Sequence, residues 1–150
     1  MNTKLKVLVS GTGFAGQGHA DGFRAVGAEI VGIVGRTPSV LKTVAEKKNI
    51  PYSNTDWQQA LKDCQPDIVS IATPGGAHYE PIIQAIEFGC HVFSDKPLTD
   101  SADSAVELYE LAKKKGVKTA FASSFRYMPC VIHAKQLVAI ITIAGTITSN

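Results

Sequence analysis

The sequence predicts an α/β protein: a doubly wound parallel sheet with helices on both faces, three layers α/β/α, in a single domain. Three observations predict it. Short runs rich in β-branched residues alternate with longer stretches of helical periodicity. The short runs, such as "LKVLVS" and "DIVSIAT", are apolar at consecutive positions rather than every second one, the pattern of strands buried on both faces. A repeated strand-helix-strand order closes into right-handed parallel crossovers, which lay helices over both sides of one sheet. Length agrees, since 150 residues with 45% hydrophobic content suffice for one packed core.

The elements follow in order. A strand at 5–10 runs into a glycine-rich turn and a helix at 14–26, then a strand at 28–34. Leu41, Val44 and Ala45 share one side of a helix at 38–48. A short helix at 55–62 uses Trp57 as its anchor on the sheet, with stacking on an adenine as the lesser alternative. The strand at 67–72 precedes a helix at 77–88 that aligns Ile82, Ile83 and Ile86, and the strand at 91–94 precedes a helix at 101–115 that aligns Ala105, Leu108, Leu111 and Ala112. Gly89 and Gly116 stand where helices end. A last strand at 117–122 completes a dinucleotide-type core over 1–124. In 125–150, a further helix to 137 has Pro129 in its first turn, with Val131, Ala134, Leu137 and Val138 on one side. The tail "VAIITIAGTITSN" reads as β-prone and needs a neighbour: it is either a linker that would lead to a missing C-terminal substrate domain or a strand that pairs with another copy, which points to a homo-oligomer.

Charge and cysteine usage narrow the function classes. The net charge of +2 comes from signs spread along the chain, and Lys113-Lys114-Lys115 suits the solvated end of a helix. No nucleic-acid or other polyanion partner is expected. Cys64, Cys90 and Cys130 are odd in number and far apart, without a C-x-x-C pair, which speaks against a disulfide framework or zinc knuckle. The four histidines and three cysteines show no ligand spacing, so no metal is expected. Lys4 and Lys6 lead straight into a strand without a signal-peptide pattern, and no run reaches membrane-spanning length. The expectation is a reduced, cytoplasmic protein away from membranes.

"VSGTGFAGQG" places Gly11, Gly13 and Gly16 as G-x-G-x-x-G between the first strand and first helix. The spacing provides a tight turn at Gly11, close approach of a pyrophosphate at Gly13, and helix-to-strand packing at Gly16. Thr12 lies within the loop, and the amides of Phe14 and Ala15 would face the phosphates at the positive end of the helix. A ligand-free βα turn uses glycines too, but the strand-to-helix context favours the Rossmann dinucleotide pattern. After the second strand, where a carboxylate would take the adenosine ribose hydroxyls, the chain reads Gly35-Arg36-Thr37-Pro38-Ser39. A 2′-phosphate meets no repulsion there; Arg36 offers a guanidinium fork, and Thr37 and Ser39 offer hydroxyls. NADP is expected over NAD, with a solvated Arg36 and a merely polar Ser39 as the alternative.

Parallel strands all end on one edge, so Gly11 to Gly16, Gly35-Arg36, Thr73-Pro74-Gly75-Gly76, Asp95-Lys96-Pro97 and Ser123 to Arg126 share it. A lysine there can exchange a proton with a substrate oxygen as hydride leaves or arrives. Pro97 restricts Lys96 to extended geometry. Spacing alone leaves this balanced against a surface turn with a local Asp95-Lys96 ion pair. His19 is expected to pack in the first helix, and Ser123 and Ser124 lack the context of a hydrolase nucleophile.

"GTGFAGQGHA", "ATPGGAHYEP", "AIEFGCHVFSDKPL" and "FRYMP", in this order, resemble the N-terminal half of the glucose-fructose oxidoreductase / inositol 2-dehydrogenase / rhizopine catabolism (Gfo/Idh/MocA) family, from about residue 4 to about 137. By that resemblance Lys96 matches the family's motif lysine, which lies near nicotinamide and substrate and assists proton transfer. Asp95 matches its acidic neighbour, and the Lys96-Pro97 peptide is implied to be cis. Thr73, Pro74 and His78 match the loop after the strand at 67–72, and Arg126 matches the arginine after the last strand; with Pro97 they join the expected cofactor contacts. The resemblance implies hydride transfer between NAD(P) and a hydroxyl carbon of a sugar, polyol or related small molecule. Three departures stand out. Gly75 replaces a frequent asparagine, and Gly35 a frequent acid. The family's second, mostly antiparallel domain with its Asp/His pair has no counterpart, because no carboxylate follows Glu110 and His133 lacks an acidic neighbour.

Two functions are thus expected: the NADP(H)-binding half of such an oxidoreductase, or a non-catalytic NAD(P)-binding sensor or subunit without its own substrate domain. A methyltransferase using S-adenosylmethionine also favours glycine after the first strand. The missing acid after the second strand and the "DKP" sequence count against it.

Overall fold

Six parallel strands run in the order β3-β2-β1-β4-β5-β6 in the computed structural model, which describes residues 4–148 and their side chains as far as 140. In chain order the elements are β1 (Lys6–Ser10), α1 (Phe14–Ala25), β2 (Glu29–Val34), α2 (Pro38–Lys47), β3 (Ser53–Asn54), α3 (Trp57–Cys64) and β4 (Ile68–Ile71). They continue with α4 (Tyr79–Glu87), β5 (His91–Ser94), α5 (Ala102–Lys115), β6 (Thr119–Phe121) and α6 (Pro129–Thr148). The order 3-2-1-4-5-6 reverses direction of growth between β1 and β4, and the crevice outside the strand ends at that switch is where such sheets take ligands.

Consecutive apolar residues in a strand serve two cores. Val7, Val9 and Ile33 meet Ala20 of α1 and Leu41, Val44 and Ala45 of α2 on one face. Leu8, Val69 and Ile71 meet Leu61, Ile82, Ile86 and Leu108 on the other. Helix α5 shows why local sequence and fold agree: Ser101 Oγ accepts the Ser104 amide at 3.1 Å, and three lysines fill the last turn. Gly116 then closes it in the left-handed region, as Gly89 does after α4.

Differences from expectation lie at the edges. β3 is a two-residue strand that pairs with Ile33 and Val34 of β2; its polar Ser53 and Asn54 carry no apolar signal. The expected helix at 77–88 is a 3-10 turn (Gly75–Ala77) followed by α4, and that at 125–137 is a 3-10 turn (Ser124–Tyr127) followed by α6. β6 was expected to be buried on both faces, yet all three of its residues are exposed, at the outer edge of the sheet. The β-prone tail is corrected as well: α6 continues to Thr148. Strand preference of β-branched residues expresses packing on a pleated sheet, and with no partner strand the chain satisfies its backbone locally. Residues 149 and 150 of that tail lie outside the described residues. Among the described residues, no helix is long and apolar enough to cross a membrane.

Candidate functional site

The sheet ladder builds the site by carrying each strand one step past its end. Gly11 N–H donates to Val34 O (2.9 Å), Ala72 N–H to Ser10 O (2.7 Å), Asp95 N–H to Ile71 O (2.8 Å) and Ala122 N–H to Ser94 O (2.8 Å). The glycine loop, the Thr73 loop and the Asp95-Lys96-Pro97 turn therefore stand side by side on one rim. Between them opens a cleft of about 690 Å³, lined by Gly11 to Ala15, Gly35, Arg36, Thr73, Pro74, Asp95, Lys96 and Pro97 among others.

Each glycine of the loop has a different reason to be there. Gly11 has φ +122, and a Cβ on it would lie 2.4 Å from Ala72 O, so it serves both the turn and the seam with β4. A Cβ on Gly16 would fall 2.0 Å from Gly11 O, whereas one on Gly13 would meet nothing within 4 Å. Gly16 thus packs the helix on the loop, and Gly13 keeps an approach to the loop backbone open. Gly13 is also the N-cap of α1, without a side-chain cap and with no acid in the first turn. The first amides of α1 are available to an anion there. These features fit a dinucleotide: an open glycine at a helix N-terminus, and a cleft of a size that holds a cofactor.

On the β4–β6 side, Lys96 and Pro97 are exposed and Asp95 half-buried. Asp95 Oδ1 accepts the backbone amide of Lys96 at 2.8 Å, and the ion pairs found among the described residues, Lys42–Glu46 and Lys48–Asp21, do not join the two side chains. The local ion pair therefore gives way to a carboxylate that holds the turn. The Lys96-Pro97 peptide is cis. Beneath the rim, His19 Nδ1 lies 2.9 Å from Ser70 Oγ, with its ring edge-on to Phe93. Burial lowers the His19 pKa, and the Asp95 charge opposes that shift. His19 packs under the sheet rim, as expected of it.

Five expected contacts do not line the cleft. Gly16 is enclosed by Gly11. Thr37 is the N-cap of α2 and Ser39 lies in its first turn, both exposed. Arg126 sits in the exposed 3-10 turn after β6, over the Tyr127 ring. His78 is fully buried, with Nδ1 2.8 Å from Pro97 O and Nε2 2.6 Å from Thr73 O. Its correction is one of role: with both ring nitrogens engaged by carbonyls, it supports the rim rather than touching a ligand. Conversely, Thr55 and Trp57 line the cleft; Thr55 is not among the expected contacts, and for Trp57 a place against adenine is only the lesser alternative to anchoring the helix. They follow β3, and the rule that places loops on the rim finds them only once that strand is known. Trp57 also packs on the core, and its buried Nε1 has no hydrogen-bond partner among the described residues.

Among the described residues, no group of three or more His, Cys, Asp or Glu is placed to hold a metal ion. Cys90 Sγ–H donates to Pro66 O, and burial pushes its thiol up to about 11, which suits a core residue rather than a nucleophile.

Sheet order and glycine loop define the class: a doubly wound Rossmann protein. The chain belongs to the Gfo/Idh/MocA oxidoreductase family, whose NAD-binding Rossmann domain matches residues 5–123. It is 32% identical to D-xylose 1-dehydrogenase (NADP(+)) 2 of Haloferax volcanii over 74% of this chain and 34% of that one. It is also 32% identical to an inositol 2-dehydrogenase of Corynebacterium glutamicum, over 76% of this chain and 34% of the relative. Among solved structures, GenD2 from gentamicin A biosynthesis in complex with NAD superposes with a TM-score of 0.85 at 31% identity, covering 93% of this chain and 40% of GenD2. The chain thus spans between about a third and two fifths of the length of these relatives.

Proposed function

We propose that the cleft holds NADP(H) and that the chain is the cofactor-binding half of an oxidoreductase acting on a hydroxyl carbon of a sugar or polyol. The observation that carries the reading is the single rim on which the open glycine, the uncapped N-terminus of α1 and Lys96 stand together. The dinucleotide would supply the ring that accepts or returns a hydride. The α1 amides would hold the pyrophosphate, the β2 side would take the adenosine half, and the β4–β5 side would take the nicotinamide half. In the oxidising direction, the substrate carbon loses hydride and its hydroxyl proton passes to Lys96 Nζ as the carbonyl forms; in reverse, Lys96 returns the proton. Asp95, through the Lys96 amide, holds the backbone from which that side chain extends.

The preference for NADP rests on position 35. A Cβ there would lie 2.7 Å from the Thr12 methyl, so an acidic side chain does not fit without moving Thr12, and Arg36 stands exposed at the same end of the cleft. The names of the relatives support both dinucleotides, one specifying NADP(+) and one NAD. Titration of the single tryptophan's fluorescence with NADPH and NADH decides the matter. NADPH is expected to bind tighter, and Arg36→Ala to reduce that advantage by about tenfold, the loss of one charge-assisted contact of roughly 1.4 kcal/mol. Equal affinities in the parent chain would overturn the preference.

The second reading is a cofactor-holding subunit or sensor, in a homo-oligomer or with a substrate domain on another chain. Lys96 is exposed, and Asp95 is the one other acid or base on its side of the cleft lining. Tight NADPH binding without turnover of xylose, inositol or related polyols supports this reading.

A further inference from the structure

The loop after β4 and the turn after β5 are joined more tightly than a shared rim requires. His78 opens α4 with no surface exposed, and it reaches backward and sideways at once: Nε2 to Thr73 O and Nδ1 to Pro97 O. Both partners are carbonyl oxygens, which only accept, so whichever ring nitrogen carries hydrogen donates, and an imidazolium donates to both. Ser94 Oγ, 3.4 Å from Nδ1, hydrogen-bonds onward to Asp95 O at 3.1 Å. At the open end of this seam stands Gly75. A Cβ there would come within 2.6 Å of both Cγ and Cδ of Pro97, a contact that neither a rigid ring nor a backbone-anchored methyl yields to cheaply. With no side chain, Gly75 leaves the space that the Pro97 ring fills.

We propose that His78 and Gly75 are positioning residues that weld the Thr73 loop to the Lys96-Pro97 turn, so that the nicotinamide end of the cleft is one preset wall. The proposal rests on the reading of the cleft as a dinucleotide site. His78 does not line the cleft and acts through Thr73 and Pro97; Gly75 lines it between Pro74 and the Asp95 turn, and acts by leaving room for the Pro97 ring. Displacing Lys96 or Thr73 by even about 1 Å costs alignment at the reacting end, while the adenosine end, built on β1 and β2, stays as it was.

The test compares ligands that differ in carrying the nicotinamide ring: NADPH against 2′-phospho-ADP-ribose, and NADH against ADP-ribose, each titrated into the full chain. The variants are His78→Phe, His78→Asn and Gly75→Ala. Expected is a loss of at least about tenfold for NADPH and NADH in His78→Phe and Gly75→Ala, with the nicotinamide-free ligands within about twofold of the parent, a difference of 1.4 kcal/mol placed at one end of the site. Bound-NADPH emission, which reads the surroundings of the ring, should shift toward its free value in the same variants. His78→Asn, retaining one amide donor, should recover part of the loss. Gly75→Ala lies on a loop outside the core and keeps the test open if His78→Phe does not fold. Equal losses for both ligand types, or none for either, would overturn the weld and leave the cofactor reading standing. Failure of the parent chain to bind any of the four ligands would overturn the cofactor reading and the weld with it.

Discussion

Gly13 and Gly16 belong to the same motif yet meet opposite surroundings. A Cβ on Gly16 would collide with backbone at 2.0 Å, and one on Gly13 would meet nothing within 4 Å. Gly16→Ala should therefore destabilise the ligand-free chain by roughly 1–3 kcal/mol, the range for overpacking a tight site, as read from urea unfolding. Gly13→Val should lower the urea midpoint less than Gly16→Ala does, by the N-cap preference alone, and abolish measurable NADPH binding. His19 gives a prediction in pH. Its pKa in the folded chain lies below the ordinary 6.5 because burial disfavours the charged ring, with Asp95 pulling the other way. Between 6.5 and that lower value, the unfolded chain takes up a proton that the folded one does not. Stability should be full above about pH 6.5 and fall as pH drops toward the folded value. Unfolding midpoints across pH 5 to 8 check this; His19→Gln should flatten the slope, and a stability that rises on acidification would contradict it.

Elements differ in how much of their structure is local. α5 carries its own cap, its own charge order and its own stop in Ser101, the lysine run and Gly116, and it forms where the periodicity places it. α6 does not carry comparable tertiary support. Val131, Ile132, Leu137 and Ile140 are between 41% and 63% exposed, and among the contacts of the described residues the helix packs chiefly on the 3-10 turn before it. Amides of 132–140 should exchange with solvent far sooner than those of β1 and β4 in a hydrogen-exchange experiment, since little apolar burial is lost when they open. Protection there equal to that of β1 would mean that another chain covers the helix.

At the scale of the whole molecule, the cleft is a consequence of strand order. Growing the sheet outward from β1 in one direction and from β4 in the other leaves a crevice that no crossover helix covers. The glycine loop closes its floor, Arg36 and Trp57 stand on one side, and Lys96 on the other. Its outer side is open, and Lys96 is exposed.

The alternation of strands and helices, the glycine loop and the placing of Asp95-Lys96-Pro97 at a strand end were legible in the sequence. Each depends on residues within a few positions of one another, where period, turn chemistry and propensity act directly. Tertiary structure alone decided the rest. β3 exists because β2 offers it an edge, not because Ser53 and Asn54 prefer a strand. The tail became α6, with no strand among the described residues to pair with it. His78 looks like a ligand-loop residue until the neighbouring turn, some 20 residues on, arrives beside it. Contacts of that separation are set by how the sheet brings its rim together, and a linear reading carries no distance between them.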